Sequence, residues 1–441
     1  MKLVNIHKHL VIVLLLWQGA QVVNAQVWPL EQCMETAIAN NKKLELGRNG
    51  IQQGKDRKTQ VMANRMPKVK LEADYKYFID LPTQFIPANA FNPMAPEGVY
   101  NDAQFGVPHN MNANLQVAMP LYNPQLKSAI KNTDIGVELA ELKYQKSKEE
   151  ILFNISELYY NAQIVKSQMQ FVDDNMANSM KLHETLTLLK EHKLALGTDV
   201  NKIALQIDQL KSKKKILQGK YDQILNGMKT WMGVSLDENI DVEPRIEYRP
   251  LQDYPNHVTT DIRLVETKKR LLEGEIEMLD KSKLPTVVAY GSYGAYGYGY
   301  DKSPNQFLEF RPMGLVGVKA TYNLFDGNMA KKKKKVKMRE IVSNNLQLEL
   351  LKDQNALQVR NATLKIAVAG ESINATKSQI KFAQEIYDQT ILQQKEGLAS
   401  ITDVIMADSA LRQAQQEYLA AVIDYYKAEL ELKNVTGNFQ N

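Results

Sequence analysis

The sequence predicts a mainly α chain with membrane-type β structure: long coiled-coil helical hairpins joined to four amphipathic strands. Three observations carry this reading. One unit of sequence is written twice, proline-free helical segments run to unusual length, and four short segments alternate strictly between apolar and polar residues. The repeat comes first, because a missed repeat misassigns a whole fold. Thr198-Asp199-Val200, leading to Gly233, returns as Thr402-Asp403-Val404, leading to Gly437, at an offset of 204. Leu121-Tyr122-Asn123 answers to Leu324-Phe325-Asp326, and Pro67 and Pro285 each open a strand-like segment. Two similar halves, residues 26–245 and 246–441, are therefore expected, each holding helices and one strand hairpin, at about 67–122 and about 285–325.

The helices are read from periodicity. A first helix is expected over 30–64 and a second over 125–192, the latter without proline and about 100 Å long at 1.5 Å per residue. The second half copies this with helices near 256–283 and 328–395. From Val200 the heptad positions are Val200, Ile203, Ile207, Leu210, Leu217, Tyr221, Ile224, Met228 and Trp231, broken only by Lys214. From Val404 they are Val404, Ala407, Leu411, Ala414, Tyr418, Ala421, Tyr425, Ala428, Leu432 and Val435. Apolar residues at alternating three and four spacing form a coiled-coil seam, and the alanines leave room for a partner's knobs.

The strands are read from period two. Val69, Leu71, Ala73, Tyr75 and Tyr77 alternate with Lys68, Lys70, Glu72, Asp74 and Lys76. Met111 to Leu121, the segment 287–300 and the segment 314–324 alternate likewise. Each is about as long as a tilted strand needs to cross a bilayer, although a soluble half-buried sheet alternates in the same way. The first hairpin's connection, about 79–110, is long, proline-rich and expected to lack regular structure; the second, about 301–312, is short. Tyr290, Tyr296, Tyr298 and Tyr300 share one face, read as an interfacial belt rather than a lumen lining.

Residues 1–25 read as an export signal: Lys2 and Lys8, the apolar run Leu10 to Trp17, and Val23-Asn24-Ala25 before the cleavage point. The single cysteine, Cys33, excludes an internal disulfide. The net charge of +5 over 441 residues does not argue for nucleic acid. No nucleophile motif, phosphate loop or metal spacing is present, so no catalytic set, cofactor or metal is expected. Backbone in lipid must satisfy its own hydrogen bonds, and four strands cannot close alone. A chain with four membrane strands must share its barrel with copies of itself: two give eight strands, three give twelve, and a conduit favours three. The rival reading is a non-channel coiled-coil structural protein of the cell envelope.

Several motifs resemble those of the TolC family of outer-membrane efflux proteins over essentially the whole mature chain. They are Leu30-Glu31-Gln32-Cys33 with Ala37, Asn40 and Asn41; the strand starts at Pro67 and Pro285; Pro120-Leu121-Tyr122 and Asn323-Leu324-Phe325-Asp326-Gly327 at the hairpin ends; and Gly397-Leu398 followed by Ile401-Thr402-Asp403-Val404. The resemblance implies a homotrimer with a twelve-stranded barrel in outer-membrane lipid and a helical barrel crossing the periplasm. It implies a passive conduit of an efflux or type I secretion system, working with an inner-membrane pump and a periplasmic adaptor (membrane fusion) protein. Thr198, Asp199 and Asp403 match positions at the periplasmic aperture, where helix capping is the competing role. Leu196, Gly197, Gly397 and Leu398 are the implied adaptor contacts at the tips. A second family acid is Met406 here, with Asp408 nearby as a substitute, and the family's tip tyrosine and arginine correspond to Gln394 and Ala399. The lysine run 331–335 reads as a solvated helix face, or as a contact with an anionic surface.

Overall fold

In the computed structural model, the described residues are 26–244, 246, 248, 249, 253–300 and 309–439, so the export signal lies outside them. Among these residues the chain forms helices α1 (Leu30–Asn40), α2 (Lys42–Ala63), α3 (Pro124–Glu191), α4 (Gly197–Met232), α5 (Thr260–Lys281), α6 (Met329–Lys395) and α7 (Ile401–Val435). The strands are β1 (Gln26–Trp28), β2 (Lys68–Tyr77), β3 (Thr83–Pro87), β4 (Tyr100–Gln104), β5 (His109–Tyr122), β6 (Ile240–Val242), β7 (Thr286–Gly299) and β8 (Glu309–Thr321). None of the helices is long and apolar enough to cross a membrane.

The expected helix over 30–64 is two helices. Asn41 leaves the helical region at ψ 122°. Its side-chain amide donates to the Trp231 carbonyl at 2.6 Å, while its Oδ1 accepts from the Lys43 N–H at 2.8 Å. Asparagine competes with the helix for backbone partners in this way, and here it starts α2 afresh.

Compactness divides the chain into two units, to each of which both halves of the sequence contribute. Of the described residues, one holds those up to Gly50, those within 140–265 and those from Gln347 on; the other holds those within 51–139 and 266–346. In the first unit α3 packs on α4 through Ile151, Ile155, Tyr159, Leu217, Tyr221 and Met228, with Cys33 and Ala37 of α1 in the same core. α6 packs on α7 through Ile366, Ile373, Val422, Tyr425 and Leu432. The α7 seam is buried at the expected heptad positions, with Tyr418 half-buried. In α4 the seam moves by one residue after Tyr221: Leu225 and Met232 are buried, and Ile224 and Trp231 only partly. A straight helix of 3.6 residues per turn drifts about 20° per heptad, so after three heptads the next residue along faces the core. Lys214, which interrupts the α4 seam, pairs with Asp173 of α3 at 2.7 Å.

This unit also contains a two-stranded parallel sheet, β1 with β6, that the sequence does not announce. Asp241 of β6 anchors it, accepting from Lys166 Nζ at 2.7 Å and from the Tyr221 hydroxyl at 2.5 Å. Burial works against this carboxylate, but the Lys166, Tyr221 and Val242 donors hold it below its usual range. Cys33 is buried, and burial pushes its thiol up to about 12.

The second unit contains the four-stranded antiparallel sheet in the order β2-β5-β7-β8. Pro120 lies past the last β2 partner of β5, the Lys68–Ala118 pair, and beside a bulge between Pro120 and Tyr122. A proline is tolerated there because it interrupts no ladder on that side. The connection between β2 and β5 is not the irregular loop expected. It folds into a β3–β4 ribbon with a 3-10 turn at Ala88–Ala90, and Phe85 meets Tyr100 edge-on at 4.9 Å. Alternation over five residues bordered by prolines is too short to separate from loop by periodicity.

Gly233 and Gly327 both adopt left-handed backbone, at φ 69° and 67°, but only Gly233 is crowded: a Cβ there would lie 2.6 Å from the Asn40 carbonyl oxygen. Gly327→Ala should cost about 1–2 kcal/mol for the left-handed conformation alone. Gly233→Ala should cost clearly more, because backbone cannot yield as a side chain does. Denaturation midpoints of the two variants check this, and equal losses would refute it.

Candidate functional site

The ends of α3 and α6 and the starts of α4 and α7 meet in one core. Leu186, Val200, Ile203, Ile207, Tyr387, Ile401, Val404, Ala407 and Leu411 are its buried members. Two turns cap this core. α3 ends through Lys193, in left-handed backbone at φ 62°, with the Leu194 N–H donating to the Leu189 carbonyl at 2.7 Å. α6 ends through Gly397 at φ 74°, with the Leu398 N–H donating to Gln393 at 2.8 Å. This is the Schellman ending in both copies.

The residue in register with Gly397 is therefore Lys193, not Gly197, and the residue in register with Leu398 is Leu194. Gly197 opens α4 and does not take left-handed backbone. Leu194, Leu196 and Leu398 are 75%, 68% and 80% exposed, so each tip carries uncovered leucine. Leu194 was legible in the constant 204-residue offset, which pairs it with Leu398.

Asp403 forms a capping box with Ser400: the Ser400 N–H and hydroxyl donate to its Oδ2 at 2.8 and 2.7 Å, and its own N–H donates to Ser400 Oγ at 3.2 Å. Those Ser400 donors hold its carboxyl below the usual range. Thr198 is exposed in the first turn of α4. Asp199, in the same turn, pairs with Lys202 at 3.3 Å, and Lys202 Nζ also reaches Thr402 Oγ1 at 3.3 Å. Lys202 thus links the starts of α4 and α7, a contact that the sequence alone did not single out. Met406 is exposed.

Asp408 does not stand in for the missing acid on the surface. It is buried in the seam, accepting from Gln206 Nε2 at 2.5 Å and pairing with Arg412 at 2.8 Å. Gln206 also donates to Ser179 Oγ at 3.1 Å, and the Tyr387 ring stands close enough to feel the charge. Burial raises the Asp408 carboxyl above its ordinary value of 3.8, against the pull of Arg412 and Gln206.

The sheet supplies a second set of candidate surfaces. Directly paired residues share a face. By the observed register, Val69, Leu71, Met111, Leu115, Val117, Ala289, Tyr293, Val316 and Val318 lie on one face. Lys70, Glu72, Asp74, Asn112, Asn114, Gln116, Tyr296, Arg311 and Lys319 lie on the other. Tyr290 and Tyr298 also fall on the polar face, so these tyrosines line it and do not form a belt on the apolar one. Tyr293 and Tyr290 cover glycines on opposite faces, Gly314 and Gly317, where a Cβ would come within 2.8 and 2.9 Å of the rings. Among the described residues no cluster of three or more metal-ligating side chains occurs.

The sheet thus has one apolar and one polar face, and the starts of α4 and α7 are capped and bridged by Ser400 and Lys202. Known proteins with related sequence or fold are outer-membrane proteins. Residues 260–438 match the family described as "Outer membrane efflux protein". "Outer membrane protein TolC" of Salmonella enteritidis is 21% identical over 389 residues, covering 84% of this chain and 74% of that one. Two solved structures share the fold. VceC of Vibrio cholerae has a TM-score of 0.71 at 15% identity, covering 92% of this chain and 96% of its own. The MtrE outer membrane channel of Neisseria gonorrhoeae, in its open state, has a TM-score of 0.69 at 14% identity, covering 92% and 88%. Residues 260–438 thus carry the match to the efflux family, and the chain as a whole is similar to TolC-like outer-membrane proteins in sequence and to outer-membrane channels in fold.

The Asp408 shift predicts a pH dependence. A buried acid whose pKa is raised binds more protons folded than unfolded, so its contribution to stability falls as pH rises from 3.8 through the raised value. Asp408→Asn should remove that slope while leaving stability at low pH nearly unchanged. An unaltered slope in melting temperature against pH would show that the slope comes from other groups. Asp403 has the opposite sign, its contribution being lost as pH falls below 3.8. Ser400→Ala, which removes the cap, should cost about 1 kcal/mol of stability.

Proposed function

We propose that the chain is the outer-membrane conduit of a tripartite efflux or type I secretion system: a homotrimer with a shared twelve-stranded barrel, passive, and fed by a periplasmic adaptor and an inner-membrane pump. The observation that carries this reading is the sheet. It has an apolar face for lipid and a polar face for water, and its outer strands, β2 and β8, each leave one edge open. Open edges in hydrocarbon leave backbone groups unsatisfied at several kcal/mol each, so β8 of one copy must pair with β2 of the next. Three copies give a barrel wide enough to hold a channel. The two halves, 26–245 and 246–441, act as structural repeats that each contribute one hairpin to it.

Within this reading the tips are the working end. Leu194, Leu196, Gly397 and Leu398 form an exposed apolar contact for the adaptor. Thr198, Asp199 and Asp403 border the aperture, where three symmetry-related carboxylates favour cations. Lys202, holding Asp199 and Thr402, is the intrachain clasp that stands where Gln394 and Ala399 offer no tip tyrosine or arginine.

The protomer count of the detergent-purified protein, by mass, tests the assembly. Three supports the shared barrel; one would end the conduit reading and favour a structural envelope protein. In planar bilayers Asp403→Ala should raise conductance or weaken block by multivalent cations. Wild-type conductance with wild-type block would remove Asp403 from the aperture. Lys202→Met should raise the fraction of open channels, whereas an unchanged fraction would leave the clasp purely structural.

A further inference from the structure

Where the sheet joins its helices, the carboxylates are already engaged. Asp134 pairs with Lys58 at 2.6 Å, Asp280 with Lys334 at 2.6 Å, and Glu275 with Lys337 at 2.8 Å. Asp326 accepts from the Ala330 N–H at 2.9 Å. The excess cations are on the first turns of α6. Lys332, Lys335, Val336 and Arg339 recur at i, i+3, i+4 and i+7, all exposed, and so line one stripe. Lys334 and Lys337, which hold the α5 acids, face the other way. Lys331 and Lys333 add to the exposed charge.

This placement opposes the helix's own field. The first turn of a helix carries the positive end of the macrodipole, and lysines are disfavoured there. The chain nevertheless sets five in succession at that end, beginning ten residues after its sheet ends at Thr321. Between sheet and stripe lie Tyr322, Leu324 and Phe325, all exposed, and Met329 and Val336 are exposed within the lysine segment. Apolar strand, exposed aromatic and aliphatic side chains, then unpaired cations is the layering of a bilayer surface with anionic headgroups.

We propose that the stripe Lys331, Lys332, Lys333, Lys335 and Arg339 binds the phosphates of anionic phospholipids at the periplasmic surface of the outer membrane. The proposal rests on the outer-membrane location and adds a lipid preference to it. Phosphate oxygens there would relieve both the lysine repulsion and the unfavourable helix-end field.

The test is native mass spectrometry of the purified full-length mature protein, incubated with equal amounts of dioleoyl phosphatidylglycerol and dioleoyl phosphatidylcholine. The expected result is phosphatidylglycerol retained at least about fivefold over phosphatidylcholine, the factor one lysine at a charged surface supplies. Lys331→Gln, Lys332→Gln, Lys333→Gln and Lys335→Gln together should bring the ratio near one. The pair Lys332→Gln and Lys335→Gln should lower it part-way, which serves if the fourfold variant folds poorly. Lys213→Gln, Lys215→Gln and Lys220→Gln, on α4, should leave the preference intact. High salt should erase it in the wild type. A wild type without preference, a fourfold variant that keeps it, or a preference that survives high salt overturns the proposal. So does a fourfold variant that alters the protomer count and not the lipid ratio, which would assign the stripe to a second copy. Equal uptake of both lipids sinks this proposal alone, while failure to enter vesicles of either composition would sink the outer-membrane reading as well.

Discussion

Hydrogen-bond closure in hydrocarbon governs the rest of this molecule. Water can satisfy the N–H and C=O groups along an exposed strand edge, but lipid cannot. A sheet of β2, β5, β7 and β8 with an apolar face therefore cannot remain alone in a membrane, and its two open edges are what the proposed trimer would close. The same constraint explains smaller features. Charges on the strands are gathered on the face with Asn112, Asn114 and Gln116, and the glycines of β8 are covered by tyrosine rings of β7 on either face.

The repeat preserves backbone more faithfully than chemistry. Both tips end in a Schellman turn, and both long hairpins end in left-handed glycine, at Gly233 and Gly437. At the tips the side chains have parted. Gly397 takes the left-handed position without steric cost, whereas Lys193 holds it against the Cβ penalty. α7 starts from a Ser400–Asp403 capping box, whereas Leu196 before α4 offers no side-chain cap. Only Asp403, of the two aspartates in register, is committed to its own helix end; Asp199 is turned to Lys202. The two tips share one geometry and differ in what steadies them.

Much of this was readable beforehand, where one local rule dominates. Long proline-free segments placed α3 and α6 to within a residue or two, because a helix end is marked by proline, glycine or asparagine and little else. Alternation fixed which residues of β2 and β5 share a face. What escaped depends on partners distant in sequence. β1 and β6 are three residues each and exist because Lys166 and Tyr221 converge on Asp241. The orientation of Tyr290, Tyr296 and Tyr298 needed the pairing register with β5, which sets Tyr296 beside Asn112. Asp408 looked like a surface acid until Gln206 and Arg412 enclosed it. Asp199 and Asp403 were found by motif, but the Lys202 bridge between Asp199 and Thr402 required the packing of α4 on α7.

The solitary thiol has a practical consequence. Cys33 sits in the α1–α3–α4 core, fully enclosed and held in its protonated form at neutral pH. A thiol in that condition reacts poorly with alkylating or spin-label reagents. The native chain is therefore a silent background for site-directed labelling. A cysteine introduced at an exposed position such as Leu194 or Leu398 would carry the only accessible probe in its chain, so distances across the tips could be followed by spectroscopy without first replacing a core residue.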